Sequence, residues 1–417
     1  MPGKTEGYDK AVQKGNSLSE QTVCRALLVS QDICGKVKEN TMNNIIPCSI
    51  LRGGTSKGLY LLDKDLPPAG PQRDEVLLRL MGTPDARQID GLGGATSTTS
   101  KVAILSAADG IEADVLYTFA QVAVEQSLVS YAGNCGNISA GVGPFAIESG
   151  LVKASHPLTT VRIINTNTGK LLVEEVETPD GQVHYDGSFR VAGVPGTAAP
   201  IKMKFMNPAG SMGRGLLPTG NVVDTLTVPG IGAIEVSVVD ATNPLVFARA
   251  ADVGLSGREL PAEIDADPAL LALFEGIRGE AAKLLGLVEN AGDAALQTPG
   301  IPKLTLVAKA QDYSTPGGEG IAAGDIDLTA RMMSMQKAHP TYAMTGAMCT
   351  AAAAVVPGSL VAQVLPAGFD PAALRIGQPG GILTAGVDYT AQPGIPQIRS
   401  AFGFRTARLL MKGTAYL

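Results

Sequence analysis

The chain has 417 residues, room for two or three domains at about 100–200 residues each. Apolar residues make up 45% and charged residues 17%, with a formal net charge of −6. Large cores can therefore form, whereas general binding to nucleic acid or anionic membranes, which rests on basic surfaces, is not expected. The 50 glycines, against an average share of about 7%, and the absence of Trp predict a chain that turns often and builds its core from aliphatic side chains.

Residues 1–44 are polar and mixed and read as an N-terminal extension, partly disordered, carrying Cys24 and Cys34. They lack the charge, long apolar run and small-residue cleavage site of a secretory signal. No apolar run reaches the roughly 18–20 residues of a membrane-spanning helix. The expectation is a cytoplasmic protein that does not engage a membrane. From about Asn44 short β-branched stretches alternate with turn clusters and read as strands: "IIPCSILRGG", "KGLYLL", "KVAILSAADG", "ADVLYTFAQVAVEQS" and "TTVRIINTNTGKLLVEEVET". "QRDEVLLRLMG" has helical spacing, and "NISAGVGPFAIESGLV" is apolar on nearly every face, as a helix buried on all sides would be. Strands around one central helix predict an α+β unit.

The second half repeats this order. Residues 55–67 match 242–261, 96–110 match 298–312, 113–137 match 324–348, and 161–176 match 374–387. The second match sets Lys303 opposite Lys101. One fold used twice leaves a cleft between its copies, where small-molecule sites commonly lie. In each half a Gly-containing turn precedes the buried helix, at Cys135-Gly136-Asn137 and at Thr345-Gly346-Ala347. Helix N-termini carry unpaired N–H groups, so two facing a cleft would hold carboxylates.

Three stretches carry candidate chemistry. "RGGTSKG" (52–58) is either an ordinary glycine-rich hairpin or an anion-binding loop using Arg52, Thr55, Ser56 and Lys57; it lacks the GxxxxGK[ST] order of a P-loop. "DGLGGATSTTSK" (90–101) ends in a lysine at a strand mouth, which is either an exposed cap or a base whose pKa a dry cleft lowers. Cys135 in "GNCGN" precedes a helix, where a thiol can be activated. Cys349 and Cys48 read as core. His156, His184 and His339 are scattered and read as non-catalytic. With no CxxC, no HExxH and no carboxylate cluster, neither a disulfide framework nor a metal site is expected.

"IPCSILRGGTSKG", "IDGLGGATSTTSKVAIL" and "NCGNISAGVGPFAIESG" resemble the PrpF family of isomerases, and the resemblance runs from about Ile45 to the C-terminus. That family includes 2-methylaconitate cis-trans isomerase, methylitaconate Δ-isomerase, 4-oxalomesaconate tautomerase and fungal aconitate Δ-isomerase. The resemblance implies a diaminopimelate epimerase-like fold: two pseudo-symmetric domains, each a β-barrel-like sheet around a central buried helix, with the active site in the cleft between them. The domains are expected at 45–222, completed by about 398–417, and at 223–397.

The resemblance makes Lys101 the catalytic acid/base, with Cys135 opposite it and Ser56 as a further active-site residue. Substrate-binding positions would then be Arg52, Thr55, Lys57, Thr99, Ser100, Asn134, Gly136, Asn137, Lys303, Thr345, Gly346 and Ala347. The second cysteine of diaminopimelate epimerase has no counterpart near Thr345, which favours a lysine-based proton shift over two-thiol racemisation. The implied substrate is a small unsaturated tri- or dicarboxylate such as aconitate or 2-methylaconitate. No cofactor or metal is implied, and a homodimer is the expected assembly. The alternatives are a 4-oxalomesaconate keto–enol tautomerase, a methylitaconate isomerase, and a non-catalytic carboxylate-binding protein.

Overall fold

The computed structural model describes residues 45–131 and 135–417. The expected extension, with Cys24 and Cys34, and the predicted ligand Asn134 lie outside the described residues.

The first half begins with the hairpin β1 (Ile45–Gly53) and β2 (Ser56–Leu62), followed by helix α1 (Pro71–Met81). Strands β3 (Lys101–Ala107) and β4 (Val115–Val122) come next, then the short helices α2 (Gly136–Ser139) and α3 (Val142–Glu148). Strands β5 (Leu158–Asn165), β6 (Lys170–Glu177) and β7 (Ile201–Met206) complete it. The second half opens with β8 (Asp224–Val228), β9 (Gly232–Ala241) and β10 (Asn243–Arg249). It continues through helix α4 (Pro268–Leu284), strands β11 (Lys303–Lys309) and β12 (Leu328–Ser334), and the central helix α5 (Met344–Ala354). Strands β13 (Leu374–Gln378), β14 (Gly381–Thr390), β15 (Gln397–Arg405) and β16 (Ala407–Tyr416) close the chain.

The two halves pair their strands in one pattern. β2–β3 and β10–β11 are parallel, β3–β4 and β11–β12 antiparallel, β4–β5 and β12–β13 parallel, β5–β6 and β13–β14 antiparallel. In matching register Gly58 stands beside Lys101 and Leu245 beside Lys303. The repeat read from the sequence is therefore a repeat of topology, and the fold is α+β with two pseudo-symmetric units. β15 joins them, pairing with β14 on one edge and β7 on the other, while β16 returns to β1.

Alternation along the strands sorts side chains into layers. From β3, Ala103 and Leu105 enter the core around α2 and α3, whereas Val102 and Ile104 pack under α1. From β11, Val307 joins that same central core, which also holds α5, and Leu304 and Leu306 pack under α4. One hydrophobic core thus runs through both halves and contains both central helices.

The central segment of the first half, predicted as one helix, is broken at Ala140-Gly141. The Ile138 carbonyl is taken by the Tyr60 hydroxyl at 2.6 Å and by the Gly141 N–H at 3.0 Å, a tightened i→i+3 turn. A Cβ on Gly141 would stand 2.3 Å from the Tyr60 hydroxyl. Beyond the break, the Gly143 N–H in the first turn of α3 donates to Oε2 of Glu174 on β6 at 2.8 Å. Glu174 is fully buried and its Oε1 has no hydrogen-bond partner among the described residues. Burial pushes its carboxyl up to about 8, against the smaller downward pull of the Gly143 N–H.

A folded-state value raised from 4.5 to about 8 makes this contribution to stability complete below pH 4.5 and lost as the pH rises towards 8. Glu174→Gln is expected to flatten that window. Wild type loses up to about 1.4 kcal/mol per pH unit relative to the variant, read from urea midpoints at pH 5, 6.5 and 8. Parallel pH profiles would contradict it.

Candidate active site

The site begins at the β1–β2 turn. A Cβ on Gly53 would lie 2.3 Å from the Asn137 carbonyl oxygen, and one on Gly54 2.2 Å from Asn137 Oδ1. Gly54 also has φ +50°, in the left-handed region. Only glycine lets this turn lie directly on the start of α2. The Thr55 N–H then donates to Asn137 Oδ1 at 3.3 Å, and Asn137 Nδ2 donates to Thr55 Oγ1 at 3.0 Å.

Cys135 is the N-cap of α2 and is half-buried; its carbonyl accepts from the Ser139 N–H at 2.9 Å and the Ser139 hydroxyl at 3.0 Å. Across from it, a Cβ on Gly136 would come within 3.0 Å of Met344 Cε at the start of α5. The beginnings of the two central helices therefore face each other. Between them is a cavity of about 290 Å³, at the small end of ligand pockets. Thr55, Gly136, Asn137 and Arg405 line one side, and His339, Thr341, Tyr342, Met344, Thr345 and Gln378 the other.

Lys101 begins β3 with the parity of Ala103 and Leu105, so it belongs to the inner face. Gly58 brings its strand against the helix: a Cβ there would meet the Lys101 carbonyl oxygen at 2.6 Å and Ile138 Cδ1 at 3.1 Å. Lys101 Nζ donates to Gln121 Oε1 at 2.5 Å and sits 5.2 Å from the centre of the Phe119 ring. Gln121 is held in turn by the Ser97 and Ser100 carbonyls at 3.1 and 3.0 Å. Ser56 is buried on this inner face, two residues from Gly58. Lys101, Cys135 and Ser56 are not among the residues that line the cavity; Cys135 and Ser56 are next in the chain to Gly136 and Thr55, which do.

Several predicted ligands have other work. Arg52 Nη1 donates to the carbonyls of Gly54 and Thr406 and to the Thr406 hydroxyl at 2.9–3.0 Å, tying the turn to the β15–β16 junction. Lys57 alternates with Ser56 and lies on the opposite face of β2. Thr99 closes a hydroxyl pair with Thr96 at 2.8 Å, and Ser100 is fully buried against Gln88 Oε1 at 2.7 Å. Lys303 Nζ donates to the Gly300 carbonyl at 3.1 Å and the Ser334 hydroxyl at 3.2 Å, outside the cavity lining.

At α5 the expected N-terminal donors need a correction. The Ala347 N–H donates to the Ala343 carbonyl at 2.9 Å, so it is already spent within the helix. A helix leaves only its first few N–H groups unpaired, which here are those of Met344, Thr345 and Gly346. Gly346 is itself buried, packed against Met332 and Tyr342.

The residue the sequence reading passed over is Arg405, only 7% exposed and part of the cavity lining. Its signal is present: "SAFGFR" alternates, and Ala401, Gly403 and Arg405 share the face towards α5. His339, which the sequence reads as non-catalytic, also lines the cavity. Its Nδ1 accepts from the Thr341 N–H at 3.1 Å, which puts the ring proton on Nε2, and burial pulls its pKa down. Cys349 is packing, as expected: it is fully buried, its thiol donates to the Val239 carbonyl at 3.3 Å, and burial pushes its pKa up. Among the described residues no three His, Cys, Asp or Glu side chains are grouped to hold a metal ion, and no helix is long and apolar enough to cross a membrane.

A duplicated α+β fold closed on a small cleft between opposed helix starts defines a two-lobed protein with room for one small ligand between its halves. The family model described as PrpF protein matches residues 43–417. A 3-methylitaconate isomerase of Eubacterium barkeri is 46% identical over 373 residues, 89% of this chain and 97% of that protein. A 4-oxalomesaconate tautomerase of Pseudomonas putida is 43% identical over 88% of this chain and 95% of its own length. A 2-methyl-aconitate isomerase of Shewanella oneidensis is 41% identical over 88% of this chain and 96% of its own length. The crystal structure of a methylitaconate-delta-isomerase superimposes with a TM-score of 0.84 at 46% identity, covering 89% of this chain and 95% of that one. The chain belongs to the PrpF family and is an isomerase.

The structural role of Arg52 is testable. Arg52→Ala is expected to lower unfolding stability by about 1.5–3 kcal/mol, the range for hydrogen bonds from a charged donor, in urea denaturation. Unchanged stability with weakened binding of trans-aconitate would make Arg52 a ligand instead.

Proposed function

We propose that this isomerase moves an allylic proton on a small unsaturated tricarboxylate, aconitate or 2-methylaconitate, without a cofactor. The observation that carries the reading is the cleft: a cavity of about 290 Å³ between two opposed helix starts, the ends at which helices present N–H groups to carboxylates. The relatives named for 3-methylitaconate, 2-methyl-aconitate and 4-oxalomesaconate point to the same chemical class.

In this reading Lys101 is the general base: the Nζ lone pair takes the proton from the allylic carbon as the C–H bond breaks. The electron pair spreads through the double bond into an adjacent carboxylate. The N–H groups of Gly136 and Asn137 on one side, and of Thr345 on the other, stabilise that charge. Lys101 or Cys135 returns a proton to the allyl system. Return at the far carbon shifts the double bond; return at the original carbon after rotation gives cis-trans isomerisation. Gln121 orients the amine through its 2.5 Å hydrogen bond. Ser56 stands beside this centre, and Thr55 holds Asn137 in place for binding. Methylitaconate isomerisation and oxalomesaconate tautomerisation use the same abstraction step and differ in where the proton returns. The reading takes the enzyme as cytoplasmic and as a homodimer, the latter open to sedimentation analysis.

Incubation in D₂O with cis-aconitate, trans-aconitate, 2-methylaconitate and 4-oxalomesaconate, followed by proton NMR, is expected to show deuterium entering one of the first three. Lys101→Ala is expected to lose about 10²–10⁴-fold in that exchange, the range for a general base, with Cys135→Ser retaining most of it. Full exchange in Lys101→Ala would overturn the assignment. Reaction of oxalomesaconate alone would make the protein a tautomerase.

A further inference from the structure

Arg405 is the last residue of β15, the strand that bonds to both halves of the molecule. Among the described residues, Nη1 reaches only the neighbouring Phe404 carbonyl at 3.0 Å, and the buried Nε has no hydrogen-bond partner. No carboxylate among the described residues forms an ion pair with it. Of the other buried arginines, Arg73 pairs with Asp63 and Arg278 with Glu275. Arg331, whose Nη2 also has no partner among the described residues, is held by three carbonyls, those of Glu259, Ala330 and Gly377. An uncompensated buried charge is costly. Here burial draws the guanidinium down to about 10, and Cys135 is the neighbouring group that offsets it. The Arg405 side chain rests against the turn glycine, its Cδ 3.2 Å from where a Cβ on Gly54 would stand. It therefore faces the cavity beside the start of α2.

The remaining lining offers donors without charge. His339 is neutral at Nδ1, where it accepts the Thr341 N–H. Gln378 Oε1 accepts from the Gly380 N–H at 2.9 Å, which turns its amide nitrogen to other partners. The first N–H groups of α5 complete that wall. Arg405 is the single Lys or Arg among the lining residues. The cavity is thus electrostatically one-sided: one place for a carboxylate on a full charge, and neutral donors for the others.

Resting on the isomerase reading above, we propose that Arg405 pairs with the substrate carboxylate conjugated to the reacting carbon, next to Cys135, while the remaining carboxylates bind the neutral donors around His339, Gln378 and the start of α5. The conjugated carboxylate is the one that gains negative charge when the proton leaves, so a fixed cation there favours the transition state over the ground state. Arg405 is in this sense a substrate anchor that also carries part of the rate.

The experiment compares full-length wild type with Arg405→Met and Arg405→Lys. Three properties are read: thermal melting without ligand, trans-aconitate affinity by calorimetry, and deuterium exchange kinetics. Removing an unpaired buried charge predicts that Arg405→Met melts at or above the wild-type temperature, binds trans-aconitate at least 30-fold more weakly, and loses both kcat and kcat/KM. Arg405→Lys is expected to fall between the two, and it decides the matter if the methionine variant does not fold. Wild-type exchange together with unchanged affinity and kcat in both variants overturns the assignment of Arg405 and leaves the isomerase reading intact. A wild type that neither binds nor exchanges any of the four carboxylates overturns both.

Discussion

The close approach of the Gly53-Gly54 turn to Asn137 is the contact on which the geometry of the first half's site depends. At would-be Cβ distances of 2.2–2.3 Å, a side chain at either glycine pushes the turn off the helix. With the turn seated, Thr55 and Asn137 lock each other, Arg52 reaches Thr406, and the β15–β16 junction is drawn to the same point. That junction delivers Arg405 into the cavity. Three segments far apart in the chain are thereby fixed around the start of α2 by hydrogen bonds in which the Asn137, Thr55 and Arg52 side chains take part.

Duplication of the fold did not duplicate its chemistry. Lys101 and Lys303 open equivalent strands in equivalent register. Lys101 meets a glutamine amide and an aromatic ring, whereas Lys303 is absorbed by a carbonyl and a serine hydroxyl. The first half brings a thiol and, through β15, a cation; the second brings neutral donors and a fully buried cysteine with no access to substrate. Two backbones related by pseudo-symmetry make an asymmetric cleft, as an asymmetric substrate requires.

The parts of this structure that depend on local pattern were legible in the sequence. The alternation in "KVAIL", the helical spacing of "QRDEVLLRLM" and the ordered repeat gave strands, a helix and two like units. What was hidden depends on contacts between distant residues. Nothing near "NISAGVGPFAIE" says that Tyr60 will claim the Ile138 carbonyl and break the helix. Arg52, beside the glycines, looked like the anion ligand, yet Thr406 takes it and Arg405 reaches the cavity instead. Ser100 and Lys57 lost their predicted roles to strand parity, since neighbours of inward residues face the other layer. Ala347 lost its role to helix register, one residue beyond the unpaired amides.

The most direct measurement of this arrangement is a crystal structure with trans-aconitate bound. One carboxylate is expected at hydrogen-bond distance from the Arg405 guanidinium, another at the amides that open α5, and the allylic carbon between Lys101 Nζ and Cys135 Sγ. A ligand seated elsewhere, or in the cleft with its reacting carbon turned away from Lys101, would contradict it.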